Sequence, residues 1–185
     1  MMTVLKNRKI AVLITIVVVA LTTLISVNRS LMRLSRDIER MFYDGVYLES
    51  DGYTQPGIDS QIKKHAEATL GLATTLTNYP ELGDRADEVL RSRRELLDAG
   101  SISDKSICFW AMSRNVHSLI QAASDISLTE RDMEAVSSYS ATITGAEEFI
   151  KGSAYNQAVL LRWNEQSSIA RIICALVPAR EPAAF

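Results

Sequence analysis

The first long hydrophobic stretch covers residues 10–27, and its 18 residues, IAVLITIVVVALTTLISV, carry no charge. An α-helix of that length rises about 27 Å, close to the roughly 30 Å hydrocarbon core of a bilayer. Three cations, Lys6, Arg8 and Lys9, precede the run. The pattern therefore predicts a short basic tail at 1–9 and a single transmembrane anchor at 10–27.

Two other interpretations of the run stay open, a cleaved signal peptide and a buried helix of a soluble protein. The apolar core of a signal peptide is usually shorter, and a small-x-small cleavage site is missing because Leu24 stands two residues before Ser26. Basic residues also follow the run, namely Arg29, Arg33, Arg36 and Arg40. The membrane face is therefore undecided, although a short basic N-terminus favours a cytoplasmic start and an extracytoplasmic domain.

Beyond the run, apolar residues recur every three or four positions, which is typical of amphipathic helices. The spacing predicts that the anchor helix continues to about residue 47. Further helices are predicted over 58–79, 84–99, about 103–124 and about 128–176. The polar segment 49–57 contains two glycines, a proline and an Asp-Gly pair, and is predicted to be an exposed loop. No strand is predicted anywhere.

Local signals add detail to two of these helices. Ser103 or Asp104 can cap the fourth predicted helix, and Ser127-x-x-Glu130 matches a capping box before the fifth. The apolar face of the fifth includes two polar members, Ser140 and Glu147. A heptad-like stripe, similar to a short coiled-coil seam, runs along the fourth helix through Phe109, Met112, Val116, Leu119, Ala123 and Ile126.

These elements predict an all-α protein in which an N-terminal transmembrane helix continues into an antiparallel helical bundle. The bundle domain is assigned to 28–177 and a C-terminal tail to 178–185. Residues 28–185 hold 17 basic and 22 acidic residues, which argues against a nucleic-acid partner. The bilayer is the first expected partner.

No group of residues has the spacing of a catalytic or metal site, so no enzyme, cofactor or metal is predicted. His65 and His117 lie on different predicted helices and are expected to serve packing or the surface. Cys108 and Cys174 are expected to be ordinary buried thiols. The Arg91–Arg94 cluster is flanked by acidic residues and indicates a solvated charged face, with a phosphate or headgroup site as the alternative.

The segment Tyr155-Asn156-Gln-Ala-Val159, followed by Trp163-Asn164, resembles the signature of the LemA family, roughly Y-N-x-x-V-x-x-Y-N on its last long helix. Residues 38–45 resemble the first-helix motif of some members, and 178–185 resembles their short tail ending in Phe. Two departures point to a divergent member. Trp163 comes eight residues after Tyr155 instead of seven, and the Phe-Pro pair after the second aromatic-Asn is absent.

The resemblance implies a membrane-anchored helical protein without an established enzymatic activity. The expected function is therefore a non-enzymatic interaction or scaffold module that engages a protein partner or a second copy. A ligand-sensing bundle that signals through a partner is the alternative. Tyr155, Asn156, Trp163 and Asn164 are the candidate partner-binding residues, and packing between helices is the other interpretation of the same stripe.

Overall fold

The computed structural model describes residues 8–49, 52–165 and 184–185. Within these ranges the side chains of residues 8, 9, 24, 27, 28, 31, 34 and 162–165 are not described. The described elements are α1 (Arg8–Asp44), β1 (Val46–Leu48), β2 (Tyr53–Gln55), α2 (Ile58–Leu76), α3 (Gly83–Asp98), α4 (Ile102–Ser124), α5 (Glu130–Lys151) and α6 (Ala154–Glu165). The dominance of helix is confirmed, and so are the predicted positions of α2 to α4, to within three residues at either end.

The described residues divide into two units, one with 8–37 and 165, the other with 38–49, 52–164 and 184–185. In the first unit, large apolar side chains from Ile10 to Ile25 are exposed on all sides of α1, each by 38–62%. The hydroxyls of Thr15, Thr22 and Thr23 donate to carbonyls three or four residues earlier in the same helix. No helix in the described part of the chain is both long and apolar enough to cross a membrane.

The second unit is a bundle built around α2, which packs against α3 and α5, while α4 packs against α3. The pairs α3–α4 and α2–α5 are antiparallel: Arg85 near the start of α3 reaches the carbonyl of Ser118 late in α4, and Gly71 late in α2 meets Tyr139 early in α5. At Gly71 a Cβ would stand 2.5 Å from the ring carbon Cζ of Tyr139, so a larger residue there would require the Tyr139 ring to move.

The core of the bundle comes from the predicted apolar faces, joined by residues from both flanking segments. Phe42 of α1, Phe109 of α4 and Tyr155 of α6 are among its largest fully buried side chains. The predicted heptad-like stripe of α4 supplies Met112, Val116 and Leu119, and all are buried. The face predicted for the fifth helix buries Ile143, Glu147 and Ile150.

A two-stranded hairpin replaces part of the predicted helix and loop. The antiparallel strands β1 and β2 pair Val46 with Gln55 and Leu48 with Tyr53. The predictions of helix to residue 47 and of loop at 53–55 were therefore wrong, as was the expected absence of strands. Gly45 ends α1 because its φ of +87° leaves the helical region. Residues 46–48 are good strand formers, and an Asp-Gly pair favours a hairpin turn.

The capping residues of α4 and α5 and the length of the last predicted helix also differ from the predictions. Ser101 caps α4 by accepting a hydrogen bond from the Asp104 amide at 3.0 Å, and Thr129 caps α5 by accepting from the Asp132 amide at 3.2 Å. In both places an Asp three residues after the cap is the signal that was overlooked. The predicted last helix ends at Lys151 and resumes as α6 at Ala154. Its predicted portion at 166–176 lies outside the described residues.

Candidate functional site

A buried carboxylate lies at the centre of the bundle. Glu147 of α5 is only 5% exposed, and side chains from two other helices converge on it. His65 of α2 approaches its Oε1 at 3.1 Å, and Ser113 of α4 donates to the same oxygen at 2.5 Å. His117 of α4 approaches Oε1 at 3.2 Å and Oε2 at 3.0 Å. One anion thus links α2, α4 and α5.

The hydrogen bond to Glu147 places one proton of His65. An ionised carboxylate only accepts, so the Nε2 atom of His65 carries the hydrogen that points at Glu147. The Nδ1 atom of His65 lies 3.2 Å from the hydroxyl of Thr69, which can then donate to it. The neutral Nε2–H tautomer of His65 therefore satisfies both neighbours. Its ring also packs edge-on against Phe109, with centroids 4.9 Å apart.

The environment keeps Glu147 charged. Burial by itself would raise the pKa of this carboxyl, but the hydrogen bonds from His65, Ser113 and His117 outweigh burial and lower the pKa to about 2. His65 is fully buried, whereas the His117 side chain is 50% exposed and forms the solvent-facing side of the cluster. The arrangement is a satisfied, ionised hydrogen-bond network inside a helical core.

This network offers little for catalysis by nucleophile and base. The Ser113 hydroxyl donates to Glu147, and the lowered pKa of that carboxyl makes it a weak base for activating a serine. Within the described residues, no group of three or more His, Cys, Asp and Glu side chains could hold a metal ion. Sequence reasoning placed Glu147 on the buried face but missed its partners, since they lie 82, 34 and 30 residues away.

A second polar site surrounds Asn156, one of the predicted partner-binding residues. Both Tyr155 and Asn156 are buried at the start of α6. The side-chain amide nitrogen of Asn156, Nδ2, donates to the carbonyl of Ile150 at 2.7 Å and to the carbonyl of Phe185 at 2.9 Å. Its Oδ1 accepts from the Phe185 amide at 2.8 Å. Asn156 thus binds the backbone of Phe185 through both the N–H and the C=O.

The ring of Phe185 completes this second site. It lies 5.5 Å from the Phe42 ring, 6.1 Å from Phe109 and 6.4 Å from Tyr155, measured between centroids. The Ser106 hydroxyl donates to the carbonyl of Ala184 at 2.8 Å. Burial, and to a smaller extent Tyr43, raises the pKa of Tyr155. We call Phe42, Phe109, Tyr155, Asn156 and Ser106 the tail pocket.

The structure brings Tyr155 and Asn156 together in the tail pocket. The side chains of Trp163 and Asn164, the other half of the predicted stripe, lie outside the described part of the chain. No family model, curated protein or solved structure matches this chain. The tail pocket and the Glu147 network are therefore interpreted from their own geometry.

Other candidates from the sequence have simpler roles. Arg93 donates to the carbonyl of Ala66 at 2.8 Å and joins α3 to α2. Arg91 and Arg94 are exposed. Cys108 is a partly buried free thiol whose pKa is raised mainly by burial, whereas Cys174 lies outside the described residues.

An apolar cavity of about 290 Å³ lies where α4 ends and α5 begins. Its lining residues are Ile120, Ala123, Ser124, Ile126, Leu128, Met133 and Val136.

Proposed function

We propose that this chain is a membrane-anchored helical-bundle protein that serves as a non-enzymatic interaction or scaffold module. The observation that carries the proposal is the exposure of apolar side chains on all sides of α1 between Ile10 and Ile25. Each Å² of apolar surface left in water costs about 25 cal/mol, and a bilayer would remove that cost. Leu24 and Val27 belong to the same run but lie outside the described side chains, so their contribution rests on the sequence.

The proposed interaction or scaffold role is supported by two sites in the bundle, the Glu147 network and the tail pocket. The Glu147 network holds its carboxylate with hydrogen bonds from three donors, His65, Ser113 and His117, which favours a structural role. The tail pocket binds a stretch of peptide backbone together with an aromatic side chain, which is the chemistry of protein recognition. Residues 38–45 and 155–164 supply the likeness to LemA proteins, which agrees with an anchored, non-enzymatic bundle. The expected partners are the bilayer and a protein, either another chain or a second copy.

The anchor is tested by alkaline carbonate extraction of membranes that carry the full chain. The chain should stay with the membrane pellet. The triple variant Val17→Arg, Val18→Arg, Val19→Arg should move to the supernatant, because charged residues at the centre of a span are costly. Leu97→Arg is the matched control, since Leu97 is also an exposed apolar residue but belongs to α3. Release of the unmodified chain by carbonate would overturn the anchor.

The interaction role is tested by crosslinking the full chain in native membranes and identifying what it captures. A specific partner, or a second copy, should be captured by the full chain and lost when the tail-pocket residue Asn156 is replaced by Leu. Membrane retention should not change in this variant. Turnover of a substrate by the purified chain, abolished by a single substitution in the Glu147 network, would overturn the non-enzymatic role and indicate an enzyme.

A ligand-sensing bundle is the second candidate, and the apolar cavity of about 290 Å³ favours it. The ligand expected there is a small apolar molecule, because six of the seven lining residues are apolar. Native mass spectrometry of the full chain purified from membranes should detect such a molecule. The Val136→Trp variant, which fills the cavity, should lose it, and a ligand-free unmodified chain would count against this candidate.

A further inference from the structure

The tail pocket has the features of a ligand-binding site whose ligand is attached to the same chain. Asn156 satisfies the N–H and the C=O of a single residue, Phe185, as a neighbouring β-strand would. Ser106 binds the carbonyl of the residue before it. All three hydrogen bonds go to backbone atoms, so they recognise a backbone conformation independently of the side chains.

Side-chain selection comes from the aromatic wall. The Phe185 ring is surrounded by Phe42, Phe109 and Tyr155, at centroid separations typical of favourable aromatic pairs. Ala184, in contrast, is exposed and contributes its carbonyl. The pocket therefore selects an aromatic residue and tolerates variation at the position before it.

The polar side of the pocket is oriented by the bundle itself. One Asn156 amide hydrogen is held by the carbonyl of Ile150 at 2.7 Å, a contact independent of the tail. That bond fixes which way the amide points, so its remaining hydrogen and its oxygen face the ligand before binding. A preoriented amide lowers the cost of association.

We propose that the tail pocket is an exchangeable peptide-recognition site whose ligand is the Ala184–Phe185 segment of a second copy of this chain. The proposal deepens the interaction part of the proposed function and rests on it. Every copy carries the segment that fits the pocket, so the contacts seen within one chain can also form between two copies. Copies held in one bilayer would meet at raised local concentration, and a tail that leaves its own pocket can enter its neighbour's.

The first test uses the full chain shortened to end at residue 183, in detergent micelles, with a fluorescein-labelled peptide of residues 180–185. The shortened chain should bind the peptide saturably, as measured by fluorescence anisotropy. The unshortened chain should bind at least about tenfold more weakly, because its tethered tail competes at high effective concentration. A folded shortened chain that does not bind the peptide would overturn the proposal.

The controls separate recognition from nonspecific stickiness. A peptide with Phe185→Ala should not bind, and its binding as well as the original would also overturn the proposal. On the protein side, Asn156→Leu should abolish binding in the shortened chain, and its melting curve will show whether it folds. Ser106→Ala provides a milder variant, expected to weaken binding several-fold by removing one hydrogen bond.

Exchange between copies is tested by pairing two full-length variants in one vesicle. The Phe185→Ala variant keeps an intact tail pocket but lacks the aromatic tail that would fill it. The Asn156→Leu variant keeps the tail but has a tail pocket that cannot bind it. Together they should crosslink more than either variant alone, and equal crosslinking would rule out exchange with a second copy. Carbonate extraction of the same vesicles reports the anchor separately, so loss of peptide binding with intact membrane retention would refute only the tail-pocket proposal.

Discussion

The apolar half of α1 and the bundle of α2 to α5 are both helical, yet they place their apolar residues in opposite ways. Leu13 in α1 is 62% exposed, whereas Leu72 in α2 is fully buried. In α1 the apolar residues occupy every side of the helix, and in α2 they occupy a stripe that faces α3 and α5. The distribution of apolar residues around a helix, more than their number, therefore indicates whether one face or the whole helix needs an apolar environment.

Paired leucine truncations should give the largest difference between the two regions. Leu72→Ala should destabilise the bundle by about 2–5 kcal/mol, through lost burial and the cavity left behind. Leu13→Ala should change bundle stability by less than about 0.5 kcal/mol, because Leu13 has no place in that core. Thermal melts of the full chain in detergent micelles measure both. Similar losses for the two variants would show that the regions do not differ in this way.

Removal of a polar side chain should also have a larger effect in the bundle than in the apolar half of α1. Glu147→Ala should cost about 2–4 kcal/mol, because it leaves His65 and Ser113 buried without their acceptor. Glu147→Gln keeps an acceptor oxygen and should cost less. Thr22→Ala in α1 is the matched control, since its hydroxyl donates to carbonyls of its own helix. Equal shifts of the melting temperature for Thr22→Ala and Glu147→Ala would contradict the stabilising role assigned to the Glu147 network.

The tail contact should have a smaller effect on stability. Phe185→Ala should destabilise the bundle by about 1–3 kcal/mol, because Phe185 is only partly buried. Leu160→Ala, at an exposed position of α6, serves as the control and should change little. Chemical denaturation of each variant provides the measurement, and an unchanged midpoint for Phe185→Ala would argue against the aromatic contacts.

Acid should weaken the bundle through Glu147. Its folded-state pKa of about 2 lies below the ordinary value of 4.5, so the folded state favours the ionised form. The resulting stabilisation is fully present above about pH 5 and is lost as the pH falls towards 2. Melting temperatures between pH 6 and pH 2.5 should therefore decline, and Glu147→Gln should decline less steeply. Parallel curves for the two proteins would contradict the assignment.

The sequence predicted elements whose signals are local and continuous. The run 10–27 follows from its continuous apolar composition, and the stripes of α2 to α4 and the buried face that includes Glu147 follow from periodicity within one helix. The hairpin was missed because strand-forming residues 46–48 were read as one more helical turn before the Asp-Gly pair. The partners of Glu147 and the docking of Phe185 on Asn156 were missed because they depend on tertiary contacts between distant segments, which no local pattern encodes.

Spin-label accessibility distinguishes whether residues 10–27 lie in lipid while the bundle lies in water. The full chain, with Cys108 and Cys174 replaced by Ser, carries one label through either Val17→Cys or Leu97→Cys and is reconstituted into phosphatidylcholine vesicles. The label at position 17 should relax readily with oxygen and be shielded from a water-soluble nickel chelate. The label at position 97 should show the reverse. A label at position 17 that is as accessible to nickel as the label at position 97 would contradict the account.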